Sequence, residues 1–222
     1  MTNAYPEFET GLTPAPTEAI ERYERTVGTT FQPDDRRFLE TVNGINLVWQ
    51  FDDVWDRSDA FFDVVREARR AAGGDDWGFD IRHVLGLGTG REFIELPAAD
   101  GHNQVMFYDL RLFRHGYLVG VDPGGNSAVQ VAEGSRTGQI KMLDHETTSL
   151  MYMMFEPDEL ADDERAMLPE DGSLMTDADA FWTFFEEDAP TVSDGFGAWL
   201  ERNVAVQRAA MAAAREAGFY TR

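Results

Sequence analysis

The chain has 222 residues, 43% of them apolar and 12% aromatic, including sixteen Phe and five Trp. That content excludes a wholly disordered chain, and a domain of this length can hide roughly 70% of its extended surface without disulfide or metal staples. Cysteine is absent, which excludes disulfides, zinc–thiolate sites, iron–sulfur clusters and cysteine nucleophiles. No basic-then-apolar leader opens the chain, and no run approaches the ~18 apolar residues of a membrane span, so the expected location is cytoplasmic.

Forty-one acidic residues face nineteen basic ones, a net charge of −22. Phosphate backbones and anionic lipid would be repelled, so neither nucleic acid nor membrane is an expected partner, whereas a cationic protein would be steered in. The excess is uneven. From Glu156 to Asp194 fourteen acids meet one base, Arg165, a net of −13, while residues 195–222 carry four Arg and two Glu, a net of +2. A solvated acidic face is one meaning of such a run, and a docking surface for a basic protein is the other. Lys141 is the only lysine; lysine-poor acidity also characterises salt-adapted proteins, a competing cause that the clustering opposes.

Residues 1–16 hold Pro6, Pro14 and Pro16 and form an expected N-terminal arm. Thr17 reads as the cap of a first helix with Ile20, Tyr23 (or Glu24) and Val27 at helical spacing, stopped by Gly28. A second helix opens at Pro33, with Asp34 and Asp35 suited to its positive end. Phe38, Leu39 and Val42 form its inner stripe, and Asn43-Gly44 its left-handed exit. Ser58 and Asp59 start a third helix, with Phe61, Phe62, Val65 and Ala68 as the stripe and Gly73-Gly74 as the stop.

The period then changes. Residues 83–86, 93–96, 105–110, 117–121, 128–132 and 140–143 are short apolar or alternating runs broken by turn residues, the pattern of strands. Asp122-Pro123-Gly124-Gly125 is a strong turn, and Gly134 to Gly138 reads as a hairpin tip. Spacing this close leaves no room for crossover helices, so the pairing is expected to be antiparallel. Thr176 or Asp177 can cap a helix bearing Phe181, Trp182, Phe184 and Phe185. Ser193 can cap another with Phe196, Trp199, Leu200 and Val204 inward, extended through the Ala-rich residues 205–217. Helices, a meander of about five or six strands, then helices again describe an α+β domain.

Candidates for chemistry are weak. Gly86-Leu87-Gly88-Thr89-Gly90 lacks the spacing of a phosphate loop and precedes strands rather than a helix. Ser127 lies in Gly125-Asn126-Ser127-Ala128-Val129, which lacks the last glycine of a nucleophile elbow. His83, His102, His115 and His145 form no H-x-x-x-H pair. Asp144-His145-Glu146 reads as a charged strand end rather than an acid–base set, because neighbours in a strand face opposite sides. The expectation is a non-enzyme with no catalytic residues, no cofactor and no metal.

The order of these elements resembles a family. Three stretches carry the likeness: IERYERTVGTTFQPDDRRFLETVNG from Ile20 to Gly44, YLVGVDPGGNSAVQVAEGSRTGQIKMLDHE from Tyr117 to Glu146, and VSDGFGAWLE from Val192 to Glu201. Together they resemble the SUKH superfamily, which contains fungal regulators of cell-wall synthesis and bacterial immunity proteins of polymorphic toxin systems. The chain departs from it at Asn126, where an acidic residue is common, and in the enlarged segments 45–80 and 147–190. The resemblance implies a domain over residues 17–205 with a mainly antiparallel sheet and packed helices, followed by a helical extension over 206–222.

By that resemblance the expected function is non-catalytic binding that neutralises a cognate toxin, with a basic nuclease the partner the charge suits. The alternative is a regulatory scaffold of the cell-wall-regulator type. No site carries over from the family, so the candidate contacts come from the residues themselves. One patch is Trp49, Phe51, Asp52, Asp53, Trp55 and Asp56, aromatics with an acidic rim; two Trp closing the core beneath the third helix is its other explanation. The second patch is Asp158, Glu159, Asp162, Asp163 and Glu164, within the −13 segment.

Overall fold

The computed structural model describes residues 13–27, 30–47, 59–74, 83–87, 115–121, 126–144, 162–166 and 176–219. Strands β1 (Ile45–Asn46), β2 (His83–Val84), β3 (Gly116–Val121), β4 (Ser127–Val131), β5 (Ile140–Leu143) and β6 (Thr191–Ser193) pair in chain order. Every pairing is antiparallel. The body of the sheet is β3 to β6; β1 and β2, of two residues each, continue it at one edge. The expected runs 93–96 and 105–110, and the turn at Asp122–Gly125, lie outside the described residues.

Helices α1 (Thr17–Val27), α2 (Pro33–Thr41) and α3 (Asp59–Ala71) precede the body of the sheet. Helices α4 (Asp162–Arg165), α5 (Ala178–Phe184) and α6 (Phe196–Glu216) follow β5, with β6 between α5 and α6. The fold is α+β.

Both faces of the sheet centre are covered. All five residues of β4 are buried, so the strand shows no apolar–polar alternation. On one face Tyr23 of α1 stacks on Phe31 at 5.3 Å, and Phe31 meets Tyr117 edge-on at 5.0 Å. The Tyr117 hydroxyl donates to Gln130 Oε1 at 2.7 Å, and Gln130 Nε2 donates to the Gly138 carbonyl at 3.0 Å. That chain satisfies a buried amide and ties the hairpin tip to the core. The neighbouring Gly116 belongs to the other face, where a Cβ would lie 3.3 Å from the Trp182 ring of α5.

Helix α6 joins the rest. It packs along α3 and touches α2 and β6, with Phe196 5.2 Å from Phe38. Its 21 residues run unbroken, and Val206, Gln207, Ala210, Met211 and Ala214 are all buried. Arg202 Nη2 donates to the Gly73 carbonyl at 2.9 Å. There α3 ends in a glycine turn, Gly74 N–H donating to Arg69 O and Gly73 N–H to Arg70 O, with Gly73 at φ +84°.

Several local expectations shift. The carbonyl of Pro16 accepts from Ile20 N–H, so Pro16 holds the cap position expected of Thr17. Ser193 is in β6 rather than at a helix start, and α6 begins after Gly195 with no side-chain cap. Phe62 is 39% exposed while Phe61 and Val65 are buried, so the α3 stripe is narrower than its apolar residues suggest. Asp177 does cap α5, accepting from the N–H groups of Asp179 and Ala180 at 2.9 and 3.1 Å.

Candidate functional site

Among the sequence candidates, Trp49, Phe51, Asp52, Asp53, Trp55, Asp56, Asp158 and Glu159 lie outside the described residues. Asp162, Asp163 and Glu164 fall in α4, where Asp162 is exposed and stands 4.0 Å from Arg165. The acidic segment continues over α5 and the turn into β6, and this part is described in full. Asp177, Glu186, Glu187, Asp188 and Asp194 are exposed there, and Asp179 is half-buried.

What shapes this corner is the sole lysine. Lys141 lies mid-strand in β5, opposite Val129 of β4, and is 0% exposed. Its Nζ donates to both carboxylate oxygens of Glu186 at 3.0 Å, and the Trp182 ring stands 6.0 Å away. Burial pushes the Lys141 ammonium below the ordinary lysine range; the Glu186 carboxylate pulls the other way, and Arg136 adds to the depression. Arg136 Nη2 is 3.3 Å from the same carboxylate, and its Nη1 donates to Thr183 Oγ1 at 2.9 Å. Glu186 is thus gripped by two cations, one from β5 and one from the hairpin tip.

A second grip lies at the other end of α5, seven residues before Glu186. Ser135 N–H and Ser135 Oγ donate to Asp179 Oδ1 at 2.8 and 2.7 Å, and these bonds hold the Asp179 carboxyl below its ordinary value. Gly134, at φ +86°, sits where a Cβ would lie 2.8 Å from that same oxygen. The hairpin tip and α5 are fastened together over about 45 residues of sequence, and Phe184, 48% exposed, is left on the outer side.

Two of the weak chemical candidates, Gly86 and His115, receive structural explanations. A Cβ at Gly86 would lie 2.1 Å from the Asn43 carbonyl oxygen and 2.4 Å from its carbon. Asn43 itself, at φ +56°, donates through Nδ2 to the carbonyls of Thr13 and Leu87 and accepts from Leu87 N–H. That close approach accounts for the glycine without a phosphate. His115 bonds through Nδ1 to Glu133 and lies 5.4 Å from the Phe181 ring. Ser127 Oγ is buried with no hydrogen-bond partner among the described residues. His102, His145 and Glu146 lie outside the described residues, as does the side chain of His83. Among the described residues no three His, Asp or Glu side chains gather as a metal site would require, and no helix is long and apolar enough to cross a membrane.

Sequence reasoning missed Lys141 and Phe184. A lone lysine inside an apolar strand was the available signal for the first. For the second there was none, since Phe184 sits among three aromatics with the same spacing. No family model matches the chain, and neither a curated protein nor a solved structure matches it.

Proposed function

We propose that this chain is a non-catalytic binding protein of the cytoplasm that neutralises a basic toxin, in the manner of the SUKH-type immunity proteins its sequence resembles. The observation that carries this is the charge distribution: fourteen acids against one base from Glu156 to Asp194. Where that segment is described, five of its six acids between Asp177 and Asp194 are exposed on a corner held rigid from within. A negative, preformed surface raises the association rate with a cationic partner and adds little ordering cost on binding. The antiparallel sheet and flanking helices are of the α+β class that the resemblance implies.

The test is co-expression with the product of the adjacent gene. Protection of the host, and co-purification of the two proteins, are the expected results. Reversal of Asp162 and Asp163 to lysine should slow association most at low salt. A neighbour that is harmless alone, or an isolated chain that turns over a substrate, would overturn the proposal.

A further inference from the structure

The two exposed large apolar side chains among the described residues are Phe62 and Phe184, and their surroundings differ. Phe62 stands on α3 near Arg66, Arg69 and Arg70 of the same helix. Phe184 ends α5, and the next five residues include Glu186, Glu187 and Asp188. Its ring meets Phe185 edge-on at 4.9 Å. Phe185 and Ala189 are buried, and the Ala189 N–H donates to the Phe185 carbonyl at 2.8 Å. The turn is therefore anchored at both ends, with Lys141 and Arg136 fixing Glu186 between them. Glu187 and Asp188 are exposed, and among the described residues neither is in an ion pair.

An exposed ring followed three and four residues on by two exposed carboxylates, on a turn anchored at both ends, is matched by one side chain above others. A guanidinium is planar and weakly hydrated: it stacks on an aromatic face while its N–H groups reach a carboxylate in the same plane. An ammonium gains the charge but not the stacking.

We infer that the corner of Phe184, Glu187 and Asp188 receives an exposed arginine of a second, cationic protein, the guanidinium lying on the Phe184 ring and bonding to Glu187 or Asp188. This deepens the function proposed above and rests on it for the existence of that second protein. Glu186 belongs to the support of the corner and is not available to the partner.

The full chain, 15N-labelled, would be titrated with nona-arginine and with nona-lysine as probes of equal charge. The arginine peptide should bind more tightly than the lysine peptide and shift amides 183–189. Phe184→Ala should remove that preference, and Glu187→Gln with Asp188→Asn should weaken nona-arginine by about tenfold, the loss of one anchoring contact. All three positions are on the surface, so the variants should fold, which near-UV circular dichroism verifies. Glu67→Gln with Glu216→Gln removes the same charge from α3 and α6 and should change little. Equal binding of the two peptides, an unchanged Phe184→Ala, or a control pair as costly as the turn pair would each overturn the inference and assign the acidity to the surface at large. Failure of toxin protection by the wild-type chain would instead sink the proposed function; protection that survives the triple change at 184, 187 and 188 sinks only the docking site.

Discussion

Replacing Glu186 by Gln should destabilise the fold more than replacing Lys141 by Met, although the lysine is the buried member of the pair. Lys141 is fully covered, and its ammonium makes two 3.0 Å bonds to Glu186, whose side chain is 46% exposed. Removing one partner of a buried ion pair costs about 3–5 kcal/mol, because the other charge stays desolvated. Here the glutamine carbonyl retains one acceptor and water reaches that side of the pair, so the expected loss is about 2–3 kcal/mol. Lys141→Met removes the buried charge itself and keeps an unbranched chain against Trp182, while Glu186 keeps Arg136 at 3.3 Å. Its expected effect lies between zero and about 1 kcal/mol of stabilisation.

Urea denaturation of the two single variants and the double one would measure this, with unchanged m-values as the check on a common unfolded state. The double variant should resemble Lys141→Met, since glutamine has no buried ammonium left to serve. The pH dependence adds an independent sign. The folded-state pKa of Lys141 is lowered from 10.5, so the unfolded chain holds that proton more tightly. Stability linked to Lys141 should therefore rise as pH climbs from the depressed value toward 10.5, and this rise should vanish in Lys141→Met. A Lys141→Met variant that loses as much as Glu186→Gln, or strictly additive single changes, would refute the argument.

Two further outcomes follow from the described contacts. Gly86→Ala should cost about 3 kcal/mol or more, or prevent folding, since its Cβ would meet the Asn43 backbone at 2.1 Å and backbone cannot move aside as a side chain can; thermal melting would detect it, and a near-neutral result would contradict the packing. Ser135→Ala should raise the Asp179 pKa toward 3.8, as followed by the carboxyl chemical shift. Because a carboxyl with a lowered folded pKa contributes stability that disappears as pH falls through that value, the acid unfolding of the variant should begin at higher pH.

The parts of the fold that were legible in sequence are those where one residue type answers one backbone need. Pro33 opens α2 because its missing N–H has no partner to lose there, and Asn43 and Gly44 close it at φ +56° and +113°. Asp177 caps α5 for the same local reason. What was not legible depends on tertiary neighbours. Thr191–Ser193 is three residues after a proline, too short for a period, and becomes a strand only because β5 offers Ile140 and Lys141 to pair with. Phe61 and Phe62 are the same residue type side by side, and the choice between them is made by the position of α6 and Phe219, 5.5 Å from Phe61. The candidate site divides likewise: the acidity is plain in the composition, while its support by a buried lysine required the pairing of β4 with β5.

That support also explains how a chain of charge −22 keeps a defined shape. Self-repulsion at such a charge opposes compaction, and five of the described cations tie distant parts of the chain together. Arg36 reaches Glu24 across 12 residues, Lys141 reaches Glu186 across 45, Arg136 reaches Thr183 across 47, Arg202 reaches Gly73 across 129, and Arg69 reaches Gln207 across 138. Each of these contacts joins elements distant in sequence, although Arg36 also pairs with Glu40 one turn along its own helix. Had the same bases been spread along the acidic segment, they would have lowered the surface potential and left these joints unmade. Their placement gives the molecule internal ties and an uncompensated negative exterior together, and this combination suits a rigid binder of cationic protein better than a chain that is merely acidic.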